Sequence, residues 1–169
     1  MNIALIGYRG TGKSAVSKML AEKTGKSAIS LDDEIVLFAG RSISQIVEQH
    51  GWEHFRDLEQ QITERFSAED NLVIDCGGGV ILREQNVTAL KRNAVLIWLT
   101  ASPSVIESRI ASSTERPALV AGKTFLEEIE EVLTARTALY QSAADFSVDT
   151  DLLTPKEIAT HILSKLQQG

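Results

Sequence analysis

The eight residues Gly7-Tyr8-Arg9-Gly10-Thr11-Gly12-Lys13-Ser14 match the phosphate-binding loop G-x-x-x-x-G-K-[ST] at every fixed position. Successive backbone N–H groups in such a turn can converge on one anion, and the positive end of a helix starting near Lys13 adds to the same field. Lys13 would meet the β- and γ-phosphates of a nucleotide as a point charge, and the Ser14 hydroxyl would ligate Mg²⁺. Gly10, Thr11, Gly12 and Ala15 complete the stretch that would surround those phosphates. The plain alternative is a glycine-rich strand-to-helix turn carrying a stray lysine. Context weighs against it: Ile3, Ala4, Leu5 and Ile6 form an apolar run before the loop, and a helical pattern follows.

Composition narrows the possible partners. A chain of 169 residues with 43% hydrophobic and 24% charged residues is large enough for one domain with a real core. Its net charge of −6 argues against general binding to nucleic acid or anionic membranes. Anion recognition must then come from local arginines and lysines. Cys76 is the single cysteine, so no internal disulfide can form; a reducing cytoplasm fits, with Cys76 a small buried hydrophobe. No apolar run approaches membrane-spanning length and no leader precedes the first strand, so a cytoplasmic location is expected. His50, His54 and His161 show no spacing that predicts a metal site.

Strand-like and helix-like segments alternate, which predicts an α/β domain with a parallel sheet between helical layers. Ala15, Val16, Met19 and Leu20 mark a helical face that Gly25 ends. Ala28-Ile29-Ser30-Leu31 reads as a second strand, and residues 32–67 are helical in period, with Gly40 and Gly51 as stops and Ser42 with Gln45 as a capping box. Leu72-Val73-Ile74-Asp75-Cys76 reads as a third strand running into Gly77-Gly78-Gly79, and residues 94–99 as a central buried fourth. Ser102-Pro103 opens a helix. Residues 112–123 lose all pattern and read as a mobile loop. Thr124 and Glu127 cap a further helix reaching about Tyr140, with Leu126, Ile129, Leu133, Ala135 and Leu139 as its apolar positions. Phe146 to Asp149 reads as a fifth strand, and Thr154-Pro155-Lys156-Glu157 opens the last helix.

In order and spacing these pieces resemble the shikimate kinase family nearly end to end. The resemblance rests on GYRGTGKS at 7–14, Asp32 in SLDDEI, Gly51…Phe55-Arg56, Gly77-Gly78-Gly79, Arg116-Pro117-Ala118-Leu119 and Arg136…Leu139-Tyr140. It implies a single three-layer α/β/α P-loop kinase domain over 1–169, with a five-stranded parallel sheet in order 2-3-1-4-5. It also implies a helical substrate-binding section near 32–67 and a lid near 112–124. The implied activity is ATP-dependent phosphorylation of shikimate with Mg²⁺. Asp32 would bind ring hydroxyls and serve as the base, because the acceptor hydroxyl must lose a proton as it attacks. Arg56 and Arg136 would hold the shikimate carboxylate, suited to it by their planar, permanently charged forks. Gly78, in the triplet, would line the substrate pocket. Arg116 would bring a cation to the transferring phosphoryl group, and Arg109 would pack on adenine.

Several alternatives stay open at this level. Asp32 could merely cap a helix, Arg56 could form a surface ion pair with Glu53 or Glu59, and Arg109 could be a solvated helix arginine. Arg9 occupies a variable loop position and receives no role. The family's D-x-D pattern is broken, since Ser30 stands two residues before Asp32. Asp32 with Glu34 offers a displaced second register, and Asp75 is a further carboxylate for the metal. The functional rivals are a gluconate kinase-like enzyme, a nucleotide kinase and a non-catalytic nucleotide-binding module. A monomer is expected, because no long apolar seam is left over.

Overall fold

The computed structural model describes residues 1–111 and 122–169. Arg116 and nearly all of the expected lid lie outside the described residues. Within them, β1 (Asn2–Ile6), β2 (Ser27–Ser30), β3 (Leu72–Asp75), β4 (Ala94–Thr100) and β5 (Phe146–Asp149) form a parallel sheet in the order β2-β3-β1-β4-β5. Seven helices join them: α1 (Lys13–Thr24), α2 (Leu31–Ala39), α3 (Ile43–Ser67), α4 (Glu84–Lys91), α5 (Pro103–Ile110), α6 (Phe125–Ala143) and α7 (Pro155–Gln168). Among the described residues no helix is long and apolar enough to cross a membrane.

The period of two in β1 explains the layering. Ala4 and Ile6 point into a core with Ile74 and Leu96, covered by Leu31 and Ile35 of α2, Phe55 and Ile62 of α3, and Tyr140 of α6. Ile3 and Leu5 point the other way, onto Val16 and Leu20 of α1 and Ile158 and Ile162 of α7. Each such fully buried aliphatic side chain contributes about 1.5–3 kcal/mol, so both faces bind their helices firmly. Because β1 lies between β3 and β4, the chain reverses its direction of winding beside β1. The crevice this opens at the carboxyl ends of β1 and β3 is where such sheets bind ligands.

Several local expectations are corrected. Leu31 is already helical and Ser30 caps α2, its Oγ accepting from the Asp33 N–H at 3.3 Å. Helix capping therefore belongs to Ser30 and not to Asp32. Cys76 lies beyond β3, buried, and burial pushes its thiol pKa up. Gly51 does act as a stop: at φ 84°, ψ 170° it breaks α3 into two helical stretches that follow one another directly. Helix α4 has no counterpart in the sequence reading. Ala15 is exposed at the cleft and does not pack in the core. On α6, Ala135 and Leu139 face outward, while Glu128, Val132, Arg136 and Tyr140 form the buried face.

Candidate active site

The phosphate loop leaves β1 at Gly7, whose φ of 144° and lack of a side chain are both required: a Cβ there would lie 2.5 Å from the Leu99 carbonyl oxygen. Thr11 closes the turn, its Oγ1 donating to the Tyr8 carbonyl at 2.8 Å. Lys13 is buried, and its Nζ donates to the carbonyls of Gly7 at 2.8 Å and Tyr8 at 3.0 Å. The ammonium thus lies curled along the loop. A cleft of about 800 Å³ opens beside it, lined by Gly10, Gly12, Lys13, Ser14 and Ala15 on the loop side.

Carboxylates form the opposite wall. Asp32 and Asp33, from the first turn of α2, line the cleft, whereas Glu34 does not. Ser14 Oγ donates to Asp75 Oδ2 at 2.5 Å, which joins the loop to the end of β3. Burial pushes the Asp75 carboxyl up; Lys13 and the Ser14 hydrogen bond oppose this, and Asp33 reinforces it. Two hard oxygen donors therefore stand beside the phosphate loop.

Gly77-Gly78-Gly79 gathers the remaining charged groups. A Cβ on Gly77 would lie 2.8 Å from Glu59 Oε2 and 3.0 Å from Asp32 Oδ1. At Gly79 a Cβ would overlap the Arg56 guanidinium. At Gly78 the Arg136 Nη1 would be 3.7 Å away, and the Tyr140 hydroxyl donates to the Gly78 carbonyl. Side chains can close over this backbone because it carries none. Arg56 and Arg136 do not line the main cleft; they share the walls of a smaller cavity of about 330 Å³ with Trp52 and Val132. Arg56 lies over the rings of Trp52 and Phe55, at 5.3 and 5.2 Å. Burial raises the Tyr140 hydroxyl to about 12, with Arg136 opposing.

Glu59 is the residue that sequence reasoning undervalued. It is 1% exposed and holds Arg56 at 2.9 Å, while Glu53 pairs with Arg83 instead. The pair is therefore a buried anchor and not a surface one. A signal was present: Glu59 interrupts the buried stripe Phe55, Ile62, Phe66 of α3. Burial raises its pKa, the Arg56 charge and hydrogen bond opposing. A carboxyl with a raised folded pKa stabilises the fold most below its unfolded pKa, and that contribution is lost as pH rises through the folded value. Glu59→Gln should therefore flatten the fall in Tm from weakly acid toward neutral pH and, by loosening Arg56, weaken binding of an acidic ligand. Thermal melts across that range check the first effect; an unchanged slope would refute it.

Arg109 is exposed yet bonded. Its Nη1 donates to the Gly10 carbonyl at 3.2 Å and to Thr150 Oγ1 at 3.1 Å, and its Nη2 to the Thr150 carbonyl at 3.0 Å. It bridges the phosphate loop and the connection after β5, so it is not merely solvated. The structure thus brings together Asp32, Arg56, Gly78 and Arg136 around the triplet beside the loop, leaves Glu34 outside the cleft lining, and sets Arg109 on the loop's far side.

Comparison with known proteins gives the family of the chain and matches its fold. A family model described as shikimate kinase matches residues 9–167. A shikimate kinase of Thermodesulfovibrio yellowstonii is 39% identical over 167 residues, covering 99% of this chain and 95% of that protein. A solved shikimate kinase from Acinetobacter baumannii, in complex with shikimate, superposes with a TM-score of 0.95 at 28% identity, over 99% of this chain and 93% of the other. The corresponding enzyme of Aquifex aeolicus gives 0.83 at 29% identity, over 99% and 97% of the two chains. With the phosphate loop, the strand order and the glycine triplet all in place, the chain belongs to the shikimate kinase family.

Proposed function

We propose that this chain transfers the γ-phosphoryl group of ATP to the 3-hydroxyl of shikimate, giving 3-phosphoshikimate and ADP on the way to chorismate and the aromatic amino acids. One observation carries the reading. Around the glycine triplet, beside a phosphate loop, Asp32 stands with two guanidinium groups whose charge a single buried carboxylate, Glu59, only partly offsets. That arrangement suits a small polyol bearing a carboxylate.

In this reading Lys13 and the loop amides hold the β- and γ-phosphates. Arg56 and Arg136 grip the carboxylate and fix the ring, so that the attacking hydroxyl meets the phosphorus in line. Asp32 orients that hydroxyl and accepts its proton late in the transfer. Arg116, outside the described residues, brings its cation to the transferring oxygens, and Arg109 flanks the base end of the nucleotide. Bound Mg²⁺ would neutralise charge on the phosphate oxygens. The residues fit it: Ser14 and Asp75 offer adjoining hard oxygens beside the phosphate loop. Residues 1–169 act as one kinase domain with residues 32–67 as its acceptor-binding section. All the groups named come from one chain, so a monomer is sufficient.

A coupled ADP-release assay with ATP, Mg²⁺ and a panel of acceptors tests the proposal. Release should depend on shikimate and be absent with gluconate and nucleoside monophosphates. Gluconate-dependent release, or none with any acceptor, would replace it with one of the rival readings, neither of which family membership favours.

A further inference from the structure

Arg9, inside the phosphate loop, does more than occupy a variable position. Its guanidinium lies 3.5 Å from Glu128, with side-chain exposures of 18% and 5%, and 5.5 Å above the Phe125 ring. Both partners sit in the first turn of α6, where the helix dipole favours an acidic residue. Tyr8, the preceding loop residue, is buried among Ile106 and Ile110 of α5 and Ile129 and Val132 of α6. The variable half of the phosphate loop is therefore pegged into α6 by one aromatic ring and clamped to it by one ion pair.

The consequence runs along the helix. Glu128, Val132, Arg136 and Tyr140 recur every four residues on the buried face. Arg136 lies eight residues from Glu128, about 12 Å along a continuous helix, and the Tyr140 hydroxyl fastens the far end to Gly78. Any tilt or slide at the first turn is thus carried to the Arg136 guanidinium. Arg9 also lines the main cleft, and its backbone N would lie 3.6 Å from a Cβ at Gly78. Arg9 also bears on its neighbour in the loop, its guanidinium lying 6.0 Å from the centre of the Tyr8 ring.

We propose that Arg9 is a positioning residue: through Glu128 and Phe125 it fixes the first turn of α6 on the phosphate loop, and so sets where Arg136 stands relative to the transferring phosphoryl group. The inference rests on the proposed role of Arg136 at the acceptor carboxylate. It makes acceptor affinity depend on a residue of the nucleotide loop that need not touch the acceptor.

Steady-state kinetics with ATP and shikimate varied separately test it, using Arg9→Ala, Glu128→Gln, their double variant, Arg9→Lys and Arg136→Ala. Arg9→Ala and Glu128→Gln should each raise KM for shikimate about tenfold with KM for ATP within about threefold, and the double variant should be no worse than the worse single. Arg9→Lys should recover part of the loss, because the charge remains and only the fork is gone. Thermal melts identify variants that fail to fold, and the isosteric Glu128→Gln carries the test should Arg9→Ala be one of them. Equal rises in both KM values, multiplicative losses in the double variant, or no rise for shikimate would each overturn the inference. Where Arg136→Ala is impaired and the Arg9 and Glu128 variants are normal, only this inference falls. Where Arg136→Ala leaves the shikimate KM unchanged, the acceptor-site reading falls and takes the inference with it.

Discussion

Asp32→Asn is expected to lower kcat about a thousandfold while leaving nucleotide affinity within about twofold. Asparagine has nearly the same shape and keeps a polar atom toward the acceptor. What it loses is the negative charge and the capacity to receive a proton. The fold should tolerate the change, since Ser30 and not Asp32 caps α2. Asp32 Oδ1 and Glu59 Oε2 both lie against Gly77, so removing one charge also relieves repulsion between two carboxylates. Nucleotide contacts are untouched, because Lys13 and Ser14 bond to Gly7, Tyr8 and Asp75. Turnover by coupled ADP release, with nucleotide binding by calorimetry, measures the two quantities separately. Glu34→Gln is the decisive companion. Glu34 is absent from the cleft lining, so that variant should work nearly normally. Near-normal turnover in Asp32→Asn with loss in Glu34→Gln would move the base by two positions and undo the assignment.

How much of this was legible before the coordinates depended on how local each cause was. The phosphate loop was readable because its chemistry is main-chain geometry written in glycines. The sheet was readable because β1, β3 and β4 are apolar on both faces, and the capping boxes at Ser42, Thr124 and Thr154 marked helix starts that the structure reproduces. Helix α4 was not, since the eight residues Glu84–Lys91 offer only Val87, Ala89 and Leu90 as apolar signal. The apolar positions of helix α6 mark its buried face only in part: Ile129 is buried and Leu133 packs beside it, while Ala135 and Leu139 face outward. Hydrophobic periodicity does not single out Glu128 and Arg136, which are buried because the phosphate loop and the glycine triplet supply their partners. Those partners are more than fifty residues away in sequence. Periodicity cannot see them; the chain order of the family motifs pointed to Arg136, and nothing in the sequence pointed to Arg9.

The same remoteness sharpens the second large effect, that of Arg136→Lys. This change is expected to lower kcat/KM for shikimate about a hundredfold while leaving KM for ATP unchanged, equivalent to losing one arm of a bidentate charged pair plus its alignment. Lysine keeps the charge, so a mere need for positive potential would leave affinity nearly intact. Geometry argues otherwise. Arg136 is 8% exposed and reaches to within 3.7 Å of a Cβ placed on Gly78, with Tyr140 and Arg56 fixing the space on either side. An ammonium on a shorter stem would fall short of that place and offer one bond where two are needed. Arg56 cannot compensate, because Glu59 holds it at 2.9 Å and the rings of Trp52 and Phe55 flank it. Separate titration of the two substrates decides the matter: equal losses for ATP and shikimate would remove Arg136 from the acceptor site, and a selective loss would show that the two forks act together on one carboxylate.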